Sequence, residues 1–152
     1  MTQVLAEGTF IMGSLLCLLL ALSGSSAGDE LSLGGIVLGQ PEASVIEALG
    51  PPGERVEGEA DRLPIRLSWP GLTIRLDEQG VGSIVGTDPG YCTPSGACPG
   101  MSRAEVRHIY GARLETATMG GKPVGRVWND GCWLGFLYDS GSVHTVEVGC
   151  VP

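Results

Sequence analysis

Apolar and polar residues alternate cleanly over Leu72-Thr73-Ile74-Arg75-Leu76. A period of two is what a strand with one wetted face requires. The same reading gives strands at 63–69, 72–77 and 81–86, and again at 123–130, 132–138 and 143–150. Asp77-Glu78-Gln79-Gly80 and Asp139-Ser140-Gly141 read as hairpin turns. Two other segments carry a helical period. Val45 and Leu49 are four apart, as are Val106 and Tyr110, so each pair shares one helix face. Ser102-Arg103-Ala104-Glu105 is a capping box, and Pro41 suits a first helical turn. Gly50 and Gly111 stand where a helix stops, and Pro51-Pro52 forbids continuation of the first.

The two sets of elements recur at an offset of 61 residues. Gly35, Gly39, Ala43, Val45 and Gly50 align with Gly96, Gly100, Ala104, Val106 and Gly111. Further on, Leu76, Gly80 and Val85 align with Leu137, Gly141 and Val146. The expected class is therefore α+β: two tandem helix-plus-antiparallel-meander repeats packed side by side, at 28–90 and 91–152, together one compact unit. Isolated units of roughly 60 residues bury too little surface to stand alone, so shared packing is expected.

An apolar run, Phe10 to Leu22, followed by Ser23-Gly24-Ser25-Ser26-Ala27, reads as a signal peptide over 1–27. No Lys or Arg precedes it, so a start at Met12 and retention as an anchor stay open. Cys17 lacks the small preceding residue of a lipoprotein signal. The expected location is exported, periplasmic or secreted. Four cysteines follow: Cys92, Cys98, Cys132 and Cys150. An even count in an exported chain implies disulfides. Of three connectivities, Cys92–Cys98 closes a short Pro/Gly loop and Cys132–Cys150 ties one hairpin, and this pairing is favoured. No paired Cys-x-x-Cys knuckle is present, so no metal is expected.

Residues 28–90 hold eleven acids and four bases, a charge of −7, whereas 91–152 hold five of each. A chain without a basic footprint is not a nucleic-acid binder. The acidic half reads as a solubility device rather than a docking face. Its densest stretch, Glu54-Arg55-Val56-Glu57-Gly58-Glu59-Ala60-Asp61, fits no calcium loop and reads as a solvated loop.

Gly-x-x-x-Gly at a helix start, Val at mid-helix, Leu-Gly or Tyr-Gly at its end, then Trp/Gly-rich hairpins, twice over, resembles the β-lactamase inhibitory protein fold. Single-repeat outer-membrane-assembly lipoproteins of the SmpA/OmlA type share the likeness. It covers roughly 31–150. The resemblance implies a sheet surface that grips another protein. These repeats are shorter, with room for one helix each, and no lipid-anchor Cys is evident.

The second copy departs from alternation. Cys132-Trp133-Leu134-Gly135-Phe136-Leu137-Tyr138 holds no charge, and both its faces are apolar. Something must cover the second face. Trp128, Trp133, Leu134, Phe136 and Tyr138 are the candidate binding residues, since aromatic clusters anchor interfaces. The competing reading makes them shared core between repeats. If the second copy follows the first in register, Leu134, Phe136 and Tyr138 point away from the helix, and a bulge would invert that. Tyr91 and Trp69 read as structural. Gly24-Ser25-Ser26-Ala27-Gly28 matches a hydrolase elbow only by chance, at a cleavage site. His108 and His144 have no paired acid or nucleophile in view. The expectation is a non-catalytic, inhibitor-like protein-binding module without cofactors. Its partner is another protein, with self-association possible, and the alternative is a structural or assembly factor of the cell envelope.

Overall fold

The computed structural model describes residues 30–58 and 62–151. Residues 1–27, expected to be a signal peptide, lie outside the described residues with Cys17 and the elbow-like glycines, as do Glu59 and Asp61. The chain begins with a small hairpin of β1 (Ser32–Leu33) and β2 (Ile36–Val37), followed by α1 (Glu42–Leu49). Four strands follow: β3 (Glu54–Glu57), β4 (Ile65–Trp69), β5 (Leu72–Asp77) and β6 (Gly80–Gly86). Then come α2 (Arg103–Tyr110), a 3-10 turn over Gly111–Arg113, and β7 (Glu115–Met119), β8 (Lys122–Asn129), β9 (Cys132–Asp139) and β10 (Ser142–Cys150).

The α+β expectation is corrected. The described chain is 48% strand and 16% helix, and β3 to β10 form one eight-stranded antiparallel sheet. Its order is β3-β4-β5-β6-β10-β9-β8-β7, so β6 and β10 weld what were expected to be two packed units into one sheet. Two further strands, β3 and β7, lie at the edges. Glu54–Glu57, expected as a solvated loop, is a strand with no fully buried residue, and Glu115–Met119 is exposed along its whole length.

The two ends of the strand order mirror each other about the β6–β10 seam. Val85 pairs with Glu147, Ile84 with Val148 and Gly86 with Val146. In each half the helix start is tied to the last strand by the same two bonds. Gly39 N–H donates to Val81 O at 2.7 Å and Val81 N–H to Gln40 O at 3.0 Å. Gly100 N–H donates to Val143 O and Val143 N–H to Met101 O, both at 2.8 Å. A bulge follows at matching places, between Arg75 and Leu76 against β6 and between Val143 and Thr145 on β10. Val81 and Val143 are 62 positions apart, one more than the helices. This single residue changes the parity of every β9 side chain.

The core lies on one face, beneath both helices. Val45 of α1 and Val106 and Tyr110 of α2 meet Ile74, Ile84, Leu134, Phe136, Val146 and Val148 in one cluster. Leu33 and Ile36 of the first hairpin complete it. The α2 capping box forms as the residues require: Ser102 Oγ accepts from Glu105 N–H, and Glu105 Oε2 accepts from Ser102 N–H. These bonds hold the Glu105 carboxyl below its ordinary pKa.

Candidate functional site: the open face of the sheet

Directly paired residues share a face of a sheet. The registers therefore define the face turned away from the helices. In the first half it carries Glu54, Val56, Arg66, Ser68, Thr73, Arg75, Ser83 and Val85. It is mostly polar, and Arg66 Nη1 meets Glu54 Oε2 at 3.0 Å. Beyond the seam the same face carries Val124, Arg126 and Trp128 from β8, Trp133, Gly135 and Leu137 from β9, and Thr145, Glu147 and Gly149 from β10. Both tryptophans of this face lie beyond the seam.

Trp133 lies flat on its own sheet. A Cβ at Gly135 would stand 2.8 Å from Trp133 Cζ3, and one at Gly149 would stand 3.3 Å from Cζ2. Only glycines let the indole settle on the backbone in this way. Trp128 pairs directly with Trp133 and is 43% exposed. Arg126, two residues from Trp128 and on the same face, places its guanidinium carbon 5.7 Å from the Trp128 ring and 5.3 Å from the Trp133 ring. Both distances are within cation–π range. Its Nη2 lies 3.5 Å from Met119 Sδ. Its Nε is buried with no hydrogen-bond partner, an unsatisfied donor pointing into an aromatic setting.

Glu147 flanks Gly135 on the other side. Burial pushes its carboxyl above the ordinary glutamate range, and Arg126 partly opposes this. An acid whose folded pKa is raised weakens the fold once pH passes its unfolded value, because the unfolded chain gives up the proton more readily. Glu147→Gln is therefore expected to melt higher than the parent at pH 7 and at the same temperature at pH 3. Thermal melts of both proteins at the two pH values test this, and an equal difference at both would sink the assignment.

Of the five residues expected to bind, the structure brings Trp128 and Trp133 together on the open face. The other three require correction. Leu134 and Phe136 are fully buried and Tyr138 is 3% exposed, all facing α2. The Phe136 ring centroid lies 5.4 Å from that of Tyr110, and Arg103 caps Tyr138 at 5.2 Å. They point toward the helices, not away, because the hairpins are offset by 62 rather than 61. Trp69, half-buried on β4, donates from Nε1 to Gly50 O at 3.3 Å.

Sequence reasoning missed Arg126 and Glu147. Arg126 was within reach, since Arg126-x-Trp128 alternates on a strand. Glu147 was not, because its place depends on the β9–β10 register. A buried network was also missed. Glu30, 3% exposed, accepts from Tyr110 Oη at 2.8 Å and from Ser95 Oγ. Thr93 Oγ1 lies 2.7 Å from Tyr110 Oη and accepts from Ala97 N–H at 3.1 Å. Burial pushes the Tyr110 phenol up, with the nearby Glu30 adding to it. A cavity of about 230 Å³ beside Glu30 is lined by Arg113, Glu115, Trp128 and Asn129 among others.

The cysteines are joined Cys92–Cys98 and Cys132–Cys150. Two structural disulfides belong to an oxidising compartment, and the protein is exported. His108 lies exposed on α2, and His144, on β10, is in contact with its neighbour Thr145, Nδ1 to Oγ1 at 2.8 Å. Among the described residues no helix is long and apolar enough to cross a membrane, and no three His, Cys, Asp or Glu are grouped as metal ligands.

No family model matches the chain, and no curated protein matches it. Two solved structures share its fold. One is an extracellular protein containing an SCP domain from Bacillus anthracis str. Ames, with a TM-score of 0.56 and 10% identity over 74% of this chain. The match spans 44% of that protein, less than half its length. The other is a DUF4309 family protein, YjgB, from Bacillus subtilis subsp. subtilis str. 168. Its TM-score is 0.50, with 13% identity over 77% of this chain and 83% of that one. At these identities the likeness is one of fold alone. Neither bears on the resemblance to the β-lactamase inhibitory protein.

Proposed function

We propose that this protein is an exported, non-catalytic protein-binding module whose grip is the open sheet face around Trp128, Trp133 and Arg126. The observation that carries the reading is the cross-strand pair of exposed Trp128 and half-buried Trp133 sharing one guanidinium. Trp and Arg dominate the residues whose loss costs most at interfaces. Indoles add large rigid area with little entropy to lose on binding. The Arg126 guanidinium, within cation–π range of both rings, adds a charged group to the aromatic surface. The partner is another protein, outside the cytoplasm, in the periplasm or the medium. Net charge of −8 over the whole chain speaks against nucleic acid. The non-catalytic reading draws support from the two histidines, both exposed and on separate elements, α2 and β10. The sequence likeness to an inhibitory protein that grips its target with sheet surface points the same way.

The test is affinity capture from envelope extract and culture supernatant, with wild type against Trp128→Ala/Arg126→Ala. A single partner held by wild type is expected to bind the variant roughly 30-fold or more weakly, the scale of one hot spot. The variant must melt like wild type. Equal capture of the same partner by both proteins would remove the platform from the reading.

A further inference from the structure

The sheet has two edges, and they are not alike. At β3 three of four residues are charged: Glu54, Arg55 and Glu57. All three are engaged in ion pairs, Arg55 with Glu42 and Glu57 at 2.7 Å each and Glu54 with Arg66. Charge on an edge strand discourages further pairing. At β7 the sequence is Glu115-Thr116-Ala117-Thr118-Met119, with one charge and no proline, all five residues exposed. Among the described residues β7 pairs only with β8, and its other side is open.

The open groups can be named. Met119 and Lys122 close the two-residue hairpin over Gly120-Gly121, a position where paired residues exchange both backbone bonds. Thr118 faces Pro123, which has no N–H to give. In an antiparallel ladder the bonded pairs alternate. Glu115, Ala117 and Met119 therefore bond toward β8, and Thr116 and Thr118 aim their N–H and C=O groups outward.

We propose that β7 pairs antiparallel with β7 of a second copy about a two-fold axis at Ala117, extending the sheet from eight strands to sixteen. The register is self-complementary. Thr116 of one copy faces Thr118 of the other, so all four outward threonines exchange bonds. Ala117 faces its own copy, and Glu115 faces Met119, so no like charges oppose. The charge distribution favours a second copy over this edge in particular. The half that carries −7 lies beyond the seam, and the half that carries β7 is neutral. In the dimer the nearest strands of the two acidic halves stand nine strand spacings apart, roughly 40 Å, several screening lengths. Pairing would also lay both Trp128–Trp133 platforms on one continuous face. The pairing itself stands without the binding reading above, since it uses only the edge.

An edge of five residues belongs with weak, reversible pairs. Sedimentation velocity of the exported protein, taken to about 1 mM, is expected to show a concentration-dependent dimer. Ala117→Glu and Ala117→Lys each put like charges face to face at the axis, and each is expected to weaken the dimer roughly fivefold. An equimolar mixture of the two is expected to restore it. Thr116→Pro, which removes an outward donor without breaking the β8 ladder, is expected to be monomeric, and Trp128→Ala to remain dimeric. A wild type that stays monomeric throughout overturns the proposal. So does a dimer lost in Trp128→Ala but kept in both Ala117 variants.

Discussion

Phe136→Ala is expected to cost about 3–5 kcal/mol, the range for a large core ring removed without collapse of its site. The ring is wholly buried on β9, an inner strand of the second half. It packs against Tyr110 of α2, which also holds Glu30 through its hydroxyl. A hole there loosens the helix and the start of the described chain together. For a domain of this size the melting temperature should fall by roughly 10–20 °C. Trp128→Ala, on the opposite face of the adjacent strand, should move it by no more than a few degrees. Urea and thermal melts of the two variants under oxidising conditions decide the point. If Trp128→Ala destabilises as much as Phe136→Ala, the assignment of the two sheet faces is wrong.

A second large effect is expected at a residue with no side chain. Gly80 has φ +113, and a Cβ there would lie 2.5 Å from Gly39 O, 2.7 Å from Gly39 C and 2.9 Å from Gln40 O. Those are backbone atoms of the segment that leads into α1, and they cannot swing aside as a flexible side chain could. The same segment is bonded to Val81 in both directions. Gly80→Ala combines an unfavourable backbone conformation with a clash, for a cost of about 2–4 kcal/mol. Gly141 also has positive φ, +87, yet nothing lies within 4 Å of its added Cβ. Gly141→Ala carries only conformational strain, about 1 kcal/mol. Denaturant midpoints of the two variants should therefore differ clearly, with Gly80→Ala the lower. Equal midpoints would mean that the helix start does not rest on β6 as described.

The pattern of side chains revealed most of the hairpins and both helices, because each carries its own period and its own stop signals. Leu72, Ile74 and Leu76 alternate and are buried, as alternation requires. Val45 and Val106 face the core from their helices. What sequence could not give was the joining of the halves. Pairing between β6 and β10 is a contact between segments about 60 positions apart, and nothing local in Gly80–Gly86 or Ser142–Cys150 encodes it. The polar edge strands were illegible for a related reason. With no buried face they carry no run of large apolar residues, and Glu115–Met119 holds only Ala117 and Met119. At the candidate site one residue decides the outcome. A uniform offset of 61 gives Phe136 the place that Arg75 holds in the first half, whereas the registers give it the place of Ile74, and one residue reverses a strand. Arg126 and Trp128 were visible as alternate positions. Their meeting with Trp133 required the β8–β9 register.

The link from β6 to α2 has a bearing on how the molecule stays whole. Such a seam between matching halves invites exchange, in which one molecule's first half docks on another's second half and the chains become entangled. Exchange needs a hinge that can straighten. Here residues 87–102 are folded back by the Cys92–Cys98 closure, and Gly34 N–H is held by Cys92 O at 3.1 Å. The tether is thereby shortened, and each half finds its own mate at high local concentration before a stranger's. Reduction of that small loop lengthens the reach of the hinge, and intertwined assemblies are expected to form more readily from the reduced chain than from the oxidised one.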